Sequence, residues 1–382
     1  MKFGASHLAY CTNIHSAETW GETAIMLDAE VLKVRDHLVN KDTLDAQSPF
    51  AIGLRLSAIA AAELVSGNHL TNFRDWLARN RCYVVSINGF PYGNFHGSRV
   101  KEQVFLPDWT SVERVRYTQQ LFQILAAISD QSSSASVSTV PGSLKAFHAD
   151  SSLIYQNLTE FANWLDALSA STGRDFHLGL EPEPLGHIEN TEETLRFFQD
   201  LHAYASNSNA VSRRIGINFD CCHFALQYES AREALLAMQA AGIRISKIHL
   251  SNALRVDLKM ADALESIRPF DEPRYFHQVI TRNEHGQLTR YADLPDFLNA
   301  SQHALSHEAR VHFHIPLDAQ PNAPLGSTDA TVRETLAWRA AHPHACDHYE
   351  IETYTWDVLP PSLQRPITQQ IASEYAWVFA NA

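Results

Sequence analysis

What the chain lacks narrows it first. No run of about 18 apolar residues occurs among its 382 positions, so a membrane-spanning helix is not expected. The opening Met1-Lys2-Phe3-Gly4-Ala5-Ser6 has no apolar stretch of the secretory kind, and the protein is expected in the cytoplasm. Basic runs are missing as well. The formal net charge is −13, with the acids scattered along the chain, so nothing is on hand to neutralise a phosphate backbone and no nucleic-acid partner is expected. The five cysteines (Cys11, Cys82, Cys221, Cys222, Cys346) are odd in number and without zinc-finger spacing, which argues against a disulfide framework or a structural zinc site. The adjacent Cys221 and Cys222 read as small buried packing residues. Internal repeats and a second-domain boundary are also missing, so residues 1–382 read as one domain.

An apolar fraction of 45% leaves a large core to bury and little room for disorder. The first half alternates strand and helix signals. Residues 8–13, 50–57, 82–89 and 135–140 are β-rich, apolar and bounded by polar or Gly/Pro turns. Between them, Val115, Leu121, Phe122, Leu125 and Ile128 share one helical face. The clearest helix covers residues 151–171, where Ile154, Leu158, Phe161, Leu165 and Leu168 form a stripe and Gly173 stands at the C-terminal cap. The polar stretch 131–134 reads as a surface loop.

The second half continues the series with four segments that end in metal-binding residue types. They are His177-Leu178-Gly179-Leu180-Glu181, Ile215-Gly216-Ile217-Asn218-Phe219-Asp220, Ile245-Ser246-Lys247-Ile248-His249 and Tyr349-Glu350-Ile351-Glu352. Strands alternating with helices predict a parallel (β/α)8 barrel, and barrel enzymes collect their chemistry where strands end. A ninth strand-like segment, residues 310–315, exceeds the eight places available, and the region 256–340 is read as an insertion over the catalytic mouth, before the last strand. Residues 275–291, with Asn283-Glu284-His285-Gly286 as the turn, predict a β-hairpin inside it.

Each strand-end residue alone has an ordinary reading: Glu181 as a salt-bridge partner with Glu183 as its rival, Asp220 as a helix N-cap, His249 as a satisfied core histidine. Together, Glu181, Asp220, His249 and Glu352 converge on a divalent metal, and Glu350 and Glu352 on one side of an apolar strand demand a cation. A set rich in carboxylate and free of thiolate suits Mn²⁺, Mg²⁺, Fe²⁺ or Zn²⁺. His223, three residues after Asp220, can turn back toward the same cavity as a ligand or a substrate contact.

The order Glu, Asp-x-x-His, His, Glu at successive strand ends resembles the xylose-isomerase-like barrels, which include sugar isomerases and epimerases and the type IV apurinic endonucleases. Within them, Leu8-Ala9-Tyr10-Cys11-Thr12-Asn13-Ile14-His15, Gly53-Leu54-Arg55-Leu56-Ser57, Asn88-Gly89-Phe90-Pro91-Tyr92-Gly93 and Glu350-Ile351-Glu352-Thr353-Tyr354-Thr355-Trp356 are similar to the metabolite traffic proteins called EboE. The resemblance implies that Glu181, Asp220, His249 and Glu352 bind the metal, that Glu181 and Glu352 also exchange the substrate proton, and that His223 and Arg255 contact substrate. His312 and His314, in the long segment after His249, look like the additional histidine ligands of multi-zinc relatives.

A divalent ion holding adjacent carbonyl and hydroxyl oxygens stabilises the ene-diolate formed when the intervening carbon loses its proton. The expected function is therefore isomerisation or epimerisation of a small sugar- or cyclitol-like substrate, with Arg55, Asn88, Tyr92, His96, Arg99 and Lys101 as rim residues. Two other readings stand beside it: a multi-metal phosphoesterase or hydrolase, and a non-catalytic metabolite-binding protein. Nothing in the sequence speaks to oligomeric state.

Overall fold

The fold is that of a computed structural model describing residues 1–93, 95–96, 99–128, 134–300 and 306–382. Eight parallel strands form the centre: β1 (Ser6–Tyr10), β2 (Phe50–Arg55), β3 (Cys82–Asn88), β4 (Ser134–Thr139), β5 (Asp175–Leu180), β6 (Ile215–Asp220), β7 (Arg244–Leu250) and the last strand, His348–Ile351. Pairing runs from β2 in sequence order through β7 to the last strand and then to β1. A parallel bridge between Cys11 and Gly53 joins β1 to β2 and closes the cylinder. The expected (β/α)8 barrel is thus the observed fold. Residues 131–133 of the expected loop lie outside the described residues, and Ser134 already belongs to β4.

The helices pack outside because their apolar stripes match the outward faces of the strands. In the helix Ser151–Thr172, Ile154, Leu158, Phe161 and Leu165 are buried, Asp150 caps the start through Ser152 N, and Gly173 ends it at φ 68°. The inward face of the barrel is unusually polar. His177, His348, Ser136, Ser138, Asn218, Lys247 and Glu350 are all buried. Backbones crowd there too: a Cβ on Gly53 would lie 2.5 Å from Tyr10 O and 2.8 Å from Glu350 Cδ, so only glycine leaves room for that carboxylate.

Between β7 and the last barrel strand lies a second, antiparallel sheet: β8 (Asn252–Asp257), β9 (Val279–Asn283), β10 (Leu288–Tyr291), β11 (Ser306–Ile315) and β12 (Leu325–Ser327), in the order β10-β9-β11-β8-β12. This settles the surplus of strand candidates, because 310–315 is part of β11 and pairs outside the barrel. The expected hairpin is β9–β10, in antiparallel register from Val279 opposite Tyr291. Leu254, Val256, Val279, Val311 and Phe313 give the sheet a small apolar core of its own. The helix Asp329–Ala341 then leads back to the barrel, whose last strand, His348–Ile351, is β13.

Candidate functional site

Four barrel strands deliver their terminal side chains to one buried point. Glu181 follows β5, its N–H bonded to Thr139 O; Asp220 ends β6; His249 lies in β7; Glu352 follows β13, its N–H bonded to Leu250 O. The Nδ1 of His249 lies 3.0 Å from Glu352 Oε2, 3.3 Å from Glu181 Oε1 and 3.4 Å from Asp220 Oδ2. One donor atom from each of the four residues falls within 4.8 Å of all the others.

Two of the carboxylates are fixed by their outer oxygen. Asp220 Oδ1 accepts from Ser251 Oγ at 2.7 Å and from His223 N at 3.2 Å, so Asp220 is both the N-cap of the helix Cys221–Leu226 and part of the cluster. Glu352 Oε1 accepts from the amides of Asn13 at 2.8 Å and Asn88 at 3.2 Å. Asp220 Oδ2 and Glu181 Oε2 are buried and without a hydrogen-bond partner. Burial opposes charge on Asp220, yet His223 and His249 hold its carboxyl well below the usual range; His249 is pushed well above its ordinary value by Glu352 and Glu181, again against burial. Three converging carboxylates and one imidazole nitrogen are a donor set that could hold a divalent cation.

Behind this cluster sits an ion pair. Lys247 Nζ lies 2.8 Å from Glu350 Oε2, with both side chains at or below 1% exposure. The same Glu350 oxygen is 3.6 Å from His249 Nε2, an electrostatic contact rather than a hydrogen bond. Although burial opposes it, Lys247 and His249 hold Glu350 down at about 2. The cation demanded by Glu350 is therefore Lys247 of the neighbouring strand.

A second group adjoins the first. His223 Nδ1 is 2.8 Å from Pro182 O, and His312 Nδ1 is 2.7 Å from Gln278 Oε1. Carbonyl oxygens only accept, so both Nδ1 atoms carry hydrogen, and two Nε2 atoms face each other at 3.1 Å. A proton or a cation has to lie between them. Glu183 Oε2 is 3.5 Å from His223 Nε2, and although burial opposes it, Asp220 and Glu183 push His223 up to about 9. Burial pushes Glu183 up to about 8. His314 belongs to the same wall, its Nδ1 donating to Glu352 O at 3.0 Å. The pairing of β11 with β8 shifts register between Val311 and His314, and both histidines are buried against the barrel mouth.

The other expected residues divide. Asn88 and Lys101 line the cavity above the cluster, about 60 Å³ in volume, although Lys101 is ion-paired with Asp293. His96 Nε2 bonds Asn13 O at 2.7 Å. Tyr92 packs against Tyr117 with ring centroids 5.1 Å apart and is not a cavity residue. Arg55 is buried and donates to Ala17 O and Gly93 O at 2.6 Å, holding loops rather than facing the cluster. Arg99 is exposed. Arg255 is half exposed and pairs with Glu308 at 3.4 Å on the antiparallel sheet, outside the cavity. Asn13 and Lys247 were not singled out from sequence. Asn13 stands at the end of the first strand segment, where the strand-end rule could have found it.

Among solved structures, the chain is similar to the IolI protein with a bound zinc atom (TM-score 0.49, 11% identity, 98% of this chain and 96% of that one). It is also similar to the probable 3-DHS dehydratase AsbF of Bacillus anthracis (0.46, 10%, 97% and 98%). A third is the 3-keto-D-glucoside 4-epimerase YcjR of E. coli (0.44, 11%, 98% and 98%). No protein-family model matches the chain, and neither does any protein of curated function. Among the described residues no helix is long and apolar enough to cross a membrane.

Proposed function

We propose that the chain is a divalent-metal-dependent isomerase or epimerase of a small hydroxy-carbonyl compound of the sugar or cyclitol class, within the xylose-isomerase-like barrels and of the EboE type. It acts in the cytoplasm as a single domain whose inserted sheet covers the barrel mouth. One observation carries the reading: Glu181, Asp220, His249 and Glu352 converge within 4.8 Å, and the buried Glu181 Oε2 and Asp220 Oδ2 have no hydrogen-bond partner among the described residues. These four residues hold the metal, Mn²⁺, Mg²⁺, Fe²⁺ or Zn²⁺. When bound, it supplies Lewis acidity to adjacent carbonyl and hydroxyl oxygens of the substrate. Glu181 and Glu352 stand where a carboxylate can take a proton from the carbon between those oxygens and return it to the other face. Asn13 and Asn88 fix the Glu352 carboxylate, and His223 faces the substrate oxygens as a hydrogen-bond donor.

A second reading, a multi-metal hydrolase, is favoured by the opposed Nε2 atoms of His223 and His312 beside Glu183. Metal stoichiometry separates the two. Elemental analysis of wild type and of Glu181→Ala/His249→Ala, joined to ¹H NMR of ketoses and inososes incubated in D₂O, is the test. The expected result is one equivalent of metal, lost in the double variant, with deuterium entering the carbon beside a carbonyl. Two or more equivalents, without deuterium incorporation, support the hydrolase. Equal metal in both proteins overturns the ligand set.

A further inference from the structure

The cavity above the cluster is built of two unlike halves. Its floor carries the inner oxygens of Glu181 and Glu352. Its walls and roof are apolar: Phe90, Phe95, Val100, Phe105, Tyr275 and Tyr354. Four of these, Phe95, Val100, Tyr275 and Tyr354, form one buried cluster that joins the loop after β3, the inserted segment and the loop after β13. Their rings pack at 5.1–5.4 Å between centroids, and Val100 N is bonded to Arg274 O at 2.8 Å, so the roof is fastened rather than open.

Most polar groups on these walls are already committed, the Tyr354 hydroxyl excepted. Lys101 is ion-paired with Asp293, the Tyr275 hydroxyl donates to Phe95 O at 3.1 Å, and Gln278 gives its amide N–H to Pro184 O and its oxygen to His312. The amides of Asn13 and Asn88 serve Glu352. Among the described residues no arginine lines the cavity. Beyond the floor, where His223 stands, a sugar phosphate would find no unpaired lysine or arginine among the described residues and one free hydroxyl, that of Tyr354, and burying such groups unpaired costs affinity.

We propose that the substrate is amphiphilic and uncharged at its outer end: a chelating hydroxy-carbonyl head on the cluster, carrying an alkyl, prenyl or aryl body that fills the aromatic upper chamber. The inference rests on the metal reading for the head and on the cavity walls alone for the body.

Isothermal titration of the purified protein with a series of hydroxamic acids, acetyl to octanoyl and benzoyl, tests it, in the presence of Zn²⁺ and again in EDTA. A hydroxamate of matching length ending in a phosphate ester and one ending in a polyol are the comparisons. Each added methylene is expected to tighten Kd about threefold until the chamber is full. The phosphate and polyol tails are expected to bind at least tenfold more weakly than the alkyl tail. The variant Val104→Glu, on the cavity wall, should flatten the chain-length dependence while circular dichroism reports the same fold. A chain-length effect that persists unchanged in EDTA supports the apolar chamber and removes the metal reading. No chain-length effect, no binding in either condition, or preference for the phosphate or polyol tail overturns the proposal.

Discussion

Lys247 and Glu350 offer a sharp test of how the barrel interior is held, because neither can be satisfied by water. Their charges are 2.8 Å apart with both side chains at or below 1% exposure. At an effective dielectric constant of about 20, that separation corresponds to about 6 kcal/mol of attraction. Removing one partner strands the other as a buried unpaired charge, which typically costs about 3–5 kcal/mol. Lys247→Met and Glu350→Gln should each lose about that much. The double variant should lose far less than their sum, because it buries no lone charge, giving a coupling energy of about 3 kcal/mol. Urea titrations of the four proteins provide the assay, run in EDTA so that metal binding to the native state adds nothing. The pair has a second role in the proposed site. Glu350 is the acidic group nearest the Nε2 of His249, so its loss should weaken divalent-metal affinity about 10–100-fold even in the stable double variant. If the two single effects add within about 0.5 kcal/mol, the ion pair is not what compensates these charges, and the account of the barrel interior fails.

Two pH effects of opposite sign follow from buried groups away from the cluster. Glu374, in the helix Ile367–Asn381, accepts from Thr353 Oγ1 at 2.6 Å and Leu317 N at 3.0 Å, and burial pushes it up from 4.5 to about 7. The unfolded chain releases this proton first, so stability falls by about 3 kcal/mol as pH rises from the unfolded pKa to the folded one. Glu374→Gln should abolish that fall, measured by urea unfolding at pH 5 and pH 8; an unchanged difference refutes it. His348, bonded to Ser136 Oγ at 2.8 Å and stacked on His177, is pushed down from 6.5 to about 3, chiefly by burial. The unfolded chain takes up this proton first, so stability is lost as pH falls below 6.5, at about 1.4 kcal/mol per pH unit. His348→Gln should reduce the acid slope by that amount, and an unaltered slope between pH 6 and 4 refutes it.

Much of the barrel is legible in the sequence because its rule is local. A β-rich apolar run bounded by turns reads as a strand whatever its partner, and the four acid- and histidine-terminated runs all became barrel strands. The same locality explains the surplus candidate. Residues 310–315 have the composition of a barrel strand, and only pairing assigns them to the antiparallel sheet through Arg310 opposite Arg255 and Ile280. Rim residues were less readable, since loop direction has no period. Arg255 sits six positions beyond His249 yet turns outward with β8, and Tyr92 folds back onto Tyr117. Glu350 shows the limit most clearly. Its side was read from alternation, but its partner Lys247 lies on the neighbouring strand, and register is invisible until the sheet is assembled.

The charge balance of the interior joins these observations. Counted as carboxylates, Glu181, Asp220, Glu350 and Glu352 bring four negative charges into the barrel, and Lys247 returns one. His223, raised to about 9 against its burial chiefly by Asp220, returns another at neutral pH, while Glu183, raised by burial to about 8, stays mostly protonated. His249, pushed well above its ordinary value, returns a third, so one negative charge remains, beside Glu181 Oε2 and Asp220 Oδ2, which have no hydrogen-bond partner among the described residues. A buried charge left uncompensated costs several kcal/mol, so one further proton, or a divalent cation in place of the His249 proton, completes the balance. The carboxylate geometry suits either. The inner oxygens of three acids face the Nδ1 of His249 at 3.0–3.4 Å, where its proton or a cation replacing it would lie, and the outer oxygens of Asp220 and Glu352 are held back by Ser251, Asn13 and Asn88.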